Sequence, residues 1–133
     1  MAQQPGLDAN QALTSMETIL QKYPDCKVVC SIGGGGNIGA NEALMTATGG
    51  TIPEDMGVFA TDGTKEQMES LLGDEATRGV IGFEGSYIDV ANTVASLYAR
   101  TLNNEFDESN KIIYRNTNRI TTENAQKILE GMQ

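Results

Sequence analysis

Apolar residues recur along this chain with two alternating periods. Ala12, Leu13, Met16, Ile19, Leu20 and Tyr23 share one face at helical spacing, which predicts a helix capped by Asp8 or Asn10 and stopped at Pro24-Asp25. Lys27 to Ile32 is a short apolar run bounded by turn residues, read as a buried strand. After Gly33-Gly34-Gly35-Gly36, the stripe Ile38, Ala40, Leu44, Met45 predicts a second helix ended by Gly49-Gly50. Met56 to Thr61 reads as the next strand, and Thr64 with Gln67 forms a capping box for a helix that buries Met68, Leu71 and Leu72.

The alternation continues. Gly79 to Phe83 is a strand, and Ser86 caps the longest helix, with Ile88, Ala91, Val94, Ala95, Tyr98 and Leu102 on its apolar side. Asn103 to Asn110 reads as a surface loop, Lys111 to Tyr114 as a strand, and Thr121 or Thr122 as the cap of a terminal helix with Ala125, Ile128 and Leu129 inward. Met1 to Gln4 has the character of a strand end. Strands separated by helices of this length require right-handed crossovers and a parallel sheet. The expected class is α/β: a three-layer, largely parallel sheet with helices on both faces. Residues 1–133 are expected to form a single α/β unit.

In such sheets, ligands sit beyond the carboxyl ends of the strands. That rule selects Gly33 to Asn37, Asp62-Gly63-Thr64, Phe83-Glu84-Gly85-Ser86 and the loop from Gln4 to Asn10. Asp62 ends a strand and precedes a glycine that permits a tight turn. Its carboxylate suits a pair of vicinal hydroxyls, or alternatively caps backbone amides. Phe83 and Glu84 pair an aromatic face with a carboxylate, as a sugar site requires; alternatively Phe83 closes the core and Glu84 is solvated.

Composition narrows the chemistry. Hydrophobic residues make up 39% and charged residues 20%, an ordinary globular balance. The formal net charge is −9, with 18 acidic against 9 basic residues, and no basic cluster interrupts it, which excludes nucleic acid as the expected partner. No apolar run is long enough to span a membrane, and the segment Met1 to Pro5 has no export-signal character. Histidine is absent, so the commonest general base and metal ligand is missing; neither catalysis, a metal nor a cofactor is expected. Cys26 and Cys30 lie ~13 Å apart on an extended strand, too far for a disulfide. They are read as a strand-edge Cys26 and a packed Cys30.

The glycine run has a competing reading. Gly34-x-Gly36-x-x-Gly39 follows a strand, opens a helix and is followed by the acidic Asp62, much like a dinucleotide-binding fingerprint. An NAD-type domain built on residues 33–39 is therefore an alternative. The long connection from Gly49 to Asp55, and the lack of a His, Lys or Tyr constellation able to move a hydride or proton, weigh against it.

Five stretches together resemble the type I sugar-binding proteins of ABC transporters. They are Met16-Glu17-Thr18-Ile19-Leu20 with Tyr23-Pro24-Asp25, Asn37 to Leu44, Val58-Phe59-Ala60-Thr61-Asp62-Gly63-Thr64, Arg78 to Phe83, and Ile120-Thr121-Thr122-Glu123-Asn124. The resemblance covers nearly the whole chain and implies a non-catalytic receptor that hands a sugar, polyol or other small polar solute to a membrane permease outside the cytoplasm. It implies that Asp62 is the ligand-binding aspartate. Phe83 stands where many members have a glutamine, with Glu84 as its substitute. Gly33 replaces an asparagine, and Asn10 or Ala9 replaces an arginine.

The resemblance also implies that the chain is the carboxy-terminal part of a two-lobed protein. The helix from Ser86 to Asn103 would then belong with a missing amino-terminal lobe, and its uncovered stripe would be buried by that lobe or by self-association. A ligand-sensing lobe of a lactose-repressor-type regulator shares this implied fold.

Overall fold

A computed structural model describes residues 1–105, 109 and 112–132. The elements run α1 (Ala9–Lys22), β1 (Val28–Ser31), α2 (Gly34–Ala47), β2 (Gly57–Asp62), α3 (Lys65–Leu72), β3 (Thr77–Phe83), α4 (Tyr87–Leu102), β4 (Thr117–Ile120) and α5 (Ala125–Glu130). Two compact units result: Met1–Gly82 with Arg119–Gln133, and Phe83–Asn118.

The sheet has the order β1-β2-β3-β4. β1, β2 and β3 are parallel, with Val29 opposite Val58, Ala60 opposite Val80 and Asp62 opposite Gly82. The carboxyl ends of all three strands therefore share one rim. β4 runs the other way, since Gly79 lies against the Ile120 carbonyl while the Glu84 N–H bonds Asn116 O, so the sheet is mixed. The class is α/β, as the alternation of periods predicts.

Side-chain alternation decides which face is covered. Val58, Ala60 and Val80 point to the helices of the first unit. There Met16, Ala40, Ala43, Leu44, Val58 and Ala76 form one core cluster, and Met68, Leu71, Val80, Ile120 and Ala125 a second. Each large side chain so buried contributes about 1.5–3 kcal/mol. The other face carries Val28, Phe59 and Ile81, all exposed; Phe59 retains 46% of its accessible surface.

Local signals explain the helix starts. Asp8 accepts the Gln11 N–H at 2.9 Å and caps α1. Thr64 with Gln67, and Ser86 with Asp89, form capping boxes at α3 and α4. Several expectations shift. β1 is an edge strand and only half-buried, because its alternate residues face the open side. For the same reason Cys30 is exposed rather than packed, whereas Cys26 is half-buried against the first cluster; both are free thiols. Residues 1–6 and Ile112–Tyr114 are not strand, and the last strand comes later, at Thr117–Ile120; Lys111 and part of the expected loop at 103–110 lie outside the described residues. The N-cap position of the terminal helix is Asn124 rather than Thr121 or Thr122, with no side-chain capping bond; its Oδ1 instead accepts the Thr121 N–H at 2.9 Å.

In the second unit, α4 buries none of its side chains, and Ile88, Val94, Tyr98 and Leu102 stand exposed. No helix among the described residues is long and apolar enough to cross a membrane.

Candidate functional site

The rim of the first unit is built where β1 and β2 end. Gly33 caps α2 with φ +89°, a conformation that favours glycine, and its N–H donates to Thr61 Oγ1 at 2.9 Å. Beside it, Asp62 Oδ2 accepts the Gly34 N–H at 3.0 Å. The aspartate thus meets the amino-terminal end of α2, where unpaired N–H groups and the helix dipole favour negative charge. Its Oδ1 has no partner among the described residues, and the residue itself is exposed. Asp62 also sits at φ +95°, in the left-handed region that an L-residue adopts only when its surroundings hold it there.

Gly33 and Asp62 are therefore adjoining, as the strand-end rule expects. Asn10 lies exposed in the first turn of α1. That turn meets α2 closely: a Cβ at Gly35 would stand 3.2 Å from Asp8 Cα, and one at Gly39 would collide with the Ala9 carbonyl and the Leu13 N–H.

Asn37 is placed differently. It is 1% exposed, and its Nδ2 donates to Thr77 Oγ1 at 3.1 Å. It belongs to a buried polar network in which Asn41 Oδ1 accepts from Ser70 Oγ and from the Thr77 N–H, both at 3.1 Å. The outer edge of this network lines a depression of about 240 Å³ with Ile38, Glu66, Glu69 and Glu75. Among the described residues, no cluster of histidine, cysteine and carboxylate side chains could hold a metal ion.

In the second unit Phe83 and Glu84 sit together, both exposed. The Arg115 guanidinium lies 5.5 Å from the Phe83 ring centroid and bonds the Glu84 carbonyl. Asn116 Nδ2 donates to the Glu84 carboxylate at 3.1 Å. An aromatic face, a carboxylate and two donors thus converge on the end of β3.

No protein-family model and no curated protein sequence matches the chain. Solved structures do. The periplasmic component of an arabinose ABC transporter from Shewanella sp. ANA-3 superposes with a TM-score of 0.76 at 16% identity, covering 95% of this chain and 40% of that one. A myo-inositol binding protein from Caulobacter gives 0.74 at 18% identity, covering 94% and 41%. A glucose-galactose binding protein from Geobacillus stearothermophilus gives 0.74 at 14%, covering 88% and 39%. The fold is that of the type I periplasmic binding proteins. The chain spans about 40% of the length of the structures it matches.

The sequence points to Asp62, Gly33, Phe83 and Glu84 but not to four residues that bond at these positions. Thr61 was read only as strand, although a hydroxyl beside a glycine turn is a common amide acceptor. Arg115 and Asn116 follow the expected strand at 111–114, so their meeting with Glu84 depended on where that strand began. Gln67 was read only as half of a capping box.

Proposed function

We propose that this chain is the solute-binding lobe of a non-catalytic receptor for an ABC-type importer, and that its guest is a sugar, polyol or similar small polar molecule. The observation that carries the reading is the Asp62 carboxylate, held at the common rim of three parallel strands by one oxygen and left open at the other. A carboxylate oxygen so presented accepts hydroxyl groups, and the neighbouring α2 amino terminus steadies its charge. Gly33 opens space beside it. Within the second unit, Phe83 and Glu84 are by themselves a ring suited to the C–H face of a sugar and an acceptor for hydroxyls.

The names of the similar structures support this reading: they bind arabinofuranose, glucose and galactose, or myo-inositol. Two exposed apolar surfaces support a two-lobed parent, the sheet face with Phe59 and Ile81 and the stripe of α4. In such a parent a second lobe or another copy of the chain covers them, a membrane permease is the partner, and the location is outside the cytoplasm. The glycines of the run already have close neighbours within the fold: Cβ atoms at Gly34, Gly36 and Gly39 would clash with Thr64, Ser31 and α1 respectively. Their smallness serves packing without any pyrophosphate.

The test is thermal denaturation of the two-lobed protein against a panel of pentoses, hexoses and cyclic polyols. A ligand at 100 times its Kd stabilises by about 2.7 kcal/mol. A protein insensitive to the whole panel, yet stabilised by NAD, would reverse the assignment in favour of a dinucleotide site.

A further inference from the structure

The geometry points to Gln67 as the positioning residue of the rim: we propose that its side-chain amide fixes the two peptide planes flanking Asp62 and so aims the open carboxylate oxygen outward. This inference rests on the reading of Asp62 as the solute contact.

Gln67 is fully buried although polar. Its Nε2 donates to Thr61 O at 3.0 Å, the carbonyl of the peptide that precedes Asp62. Its Oε1 accepts the Gly63 N–H at 2.8 Å, the amide of the peptide that follows Asp62. The same oxygen takes the Thr64 N–H at 2.7 Å. One planar amide therefore grips the backbone on both sides of a single residue.

That residue needs gripping. Asp62 at φ +95° and Gly63 at φ +78° are two successive positive-φ positions, and a strained non-glycine residue there persists only where its surroundings over-determine it. A capping box alone requires only that the side chain at this position accept the cap residue's N–H. The Nε2 bond to Thr61 lies outside that requirement, and ionised glutamate, an equally good capping residue, has no donor with which to make it. Glutamine therefore serves the turn that carries Asp62 as well as the start of α3.

Gln67→Glu separates the two roles. With its carboxyl ionised it keeps the acceptor for Gly63 and Thr64, so those two amides retain their protection from hydrogen exchange. Its second oxygen faces the Thr61 carbonyl, so the peptide before Asp62 turns and the bond from Gly34 to Asp62 is lost. The expected result in the 133-residue chain is a fall in Gly34 amide protection of at least about tenfold, with Val58 and Leu71 unchanged. Gln67→Leu should lose protection at Gly34, Gly63 and Thr64 alike. Protection at Gly34 unchanged in Gln67→Glu, at a pH where the carboxyl carbon shift shows it ionised, would overturn the proposal.

In the unmodified chain, scalar coupling across the Gln67 Nε2 to Thr61 hydrogen bond is expected by NMR. Its absence would overturn the proposal even if neither variant folds. These readouts involve no solute: failure of the carbohydrate panel would sink the receptor reading while leaving this test to decide Gln67 on its own.

Discussion

Asp62 and Gly34 are joined by a 3.0 Å hydrogen bond that ties the end of β2 to the first turn of α2. One carboxylate oxygen is structural and the other is open. Asp62→Asn keeps an acceptor and tolerates the left-handed region, so the melting free energy should change by less than about 1 kcal/mol. In the proposed two-lobed receptor, affinity for a hydroxylated solute should nonetheless fall tenfold or more, about 1.4 kcal/mol, as measured by calorimetric titration. Retained affinity would remove Asp62 from the site.

Gly39 has no room for a methyl group, because α1 backbone occupies the place where a Cβ would project. Gly39→Ala should destabilise the chain by about 2 kcal/mol or more, since the obstacle is backbone rather than a flexible side chain. Urea denaturation measures this directly. Gly49→Ala is the contrast: its Cβ would meet nothing, and its φ of +67° is the sole source of cost.

Asn41 serves Ser70, the Thr77 N–H and Glu75 from one buried side chain. Asn41→Leu leaves the buried Thr77 N–H without its acceptor, while Ser70 Oγ keeps Thr77 Oγ1 at 2.9 Å, a loss of about 1–3 kcal/mol. The pairing of β2 with β3 should loosen first, seen as faster amide exchange at Thr77.

Ser86 holds the Asp89 carboxyl below its ordinary value, through its N–H first and its hydroxyl second. The folded carboxyl therefore ionises at lower pH than its unfolded counterpart. Its capping contribution is complete above the usual aspartate range and disappears as the pH falls through the lowered value. NMR titration of the Ser86 amide should follow that midpoint, and Asp89→Asn should abolish the acid-side transition while preserving a cap.

The exposed stripe Ile88, Val94, Tyr98 and Leu102 should make the chain associate with itself when nothing else covers it. Light scattering at rising concentration should report assemblies, and Val94→Glu with Tyr98→Glu should return monomers. A wild-type monomer that binds no hydrophobic dye would refute this.

Fold class and most helix boundaries were legible because they are encoded locally. Thr64-x-x-Gln67 and Ser86-x-x-Asp89 announce their caps in four residues, and the apolar stripe of α1 announces its buried face. What was illegible depends on partners distant in sequence. Cys30 was expected to pack, but its side chain alternates onto the uncovered face, a consequence of sheet order that one strand cannot reveal. Asn37 looked like a rim residue by position, whereas its amide turns inward to Thr77, forty residues away. Arg115 meets Glu84 only because β4 begins at Thr117, whereas the apolar run Ile112-Ile113-Tyr114 just before it draws the expected strand upstream.

The backbone contact at Gly39 has a mechanical meaning as well as an energetic one. Two helices that touch main chain to main chain cannot slide past each other by trading rotamers. Asn10 and the glycine turn at Gly33 thus ride on a single stiff lever, and any swing of that lever carries both together without altering their separation.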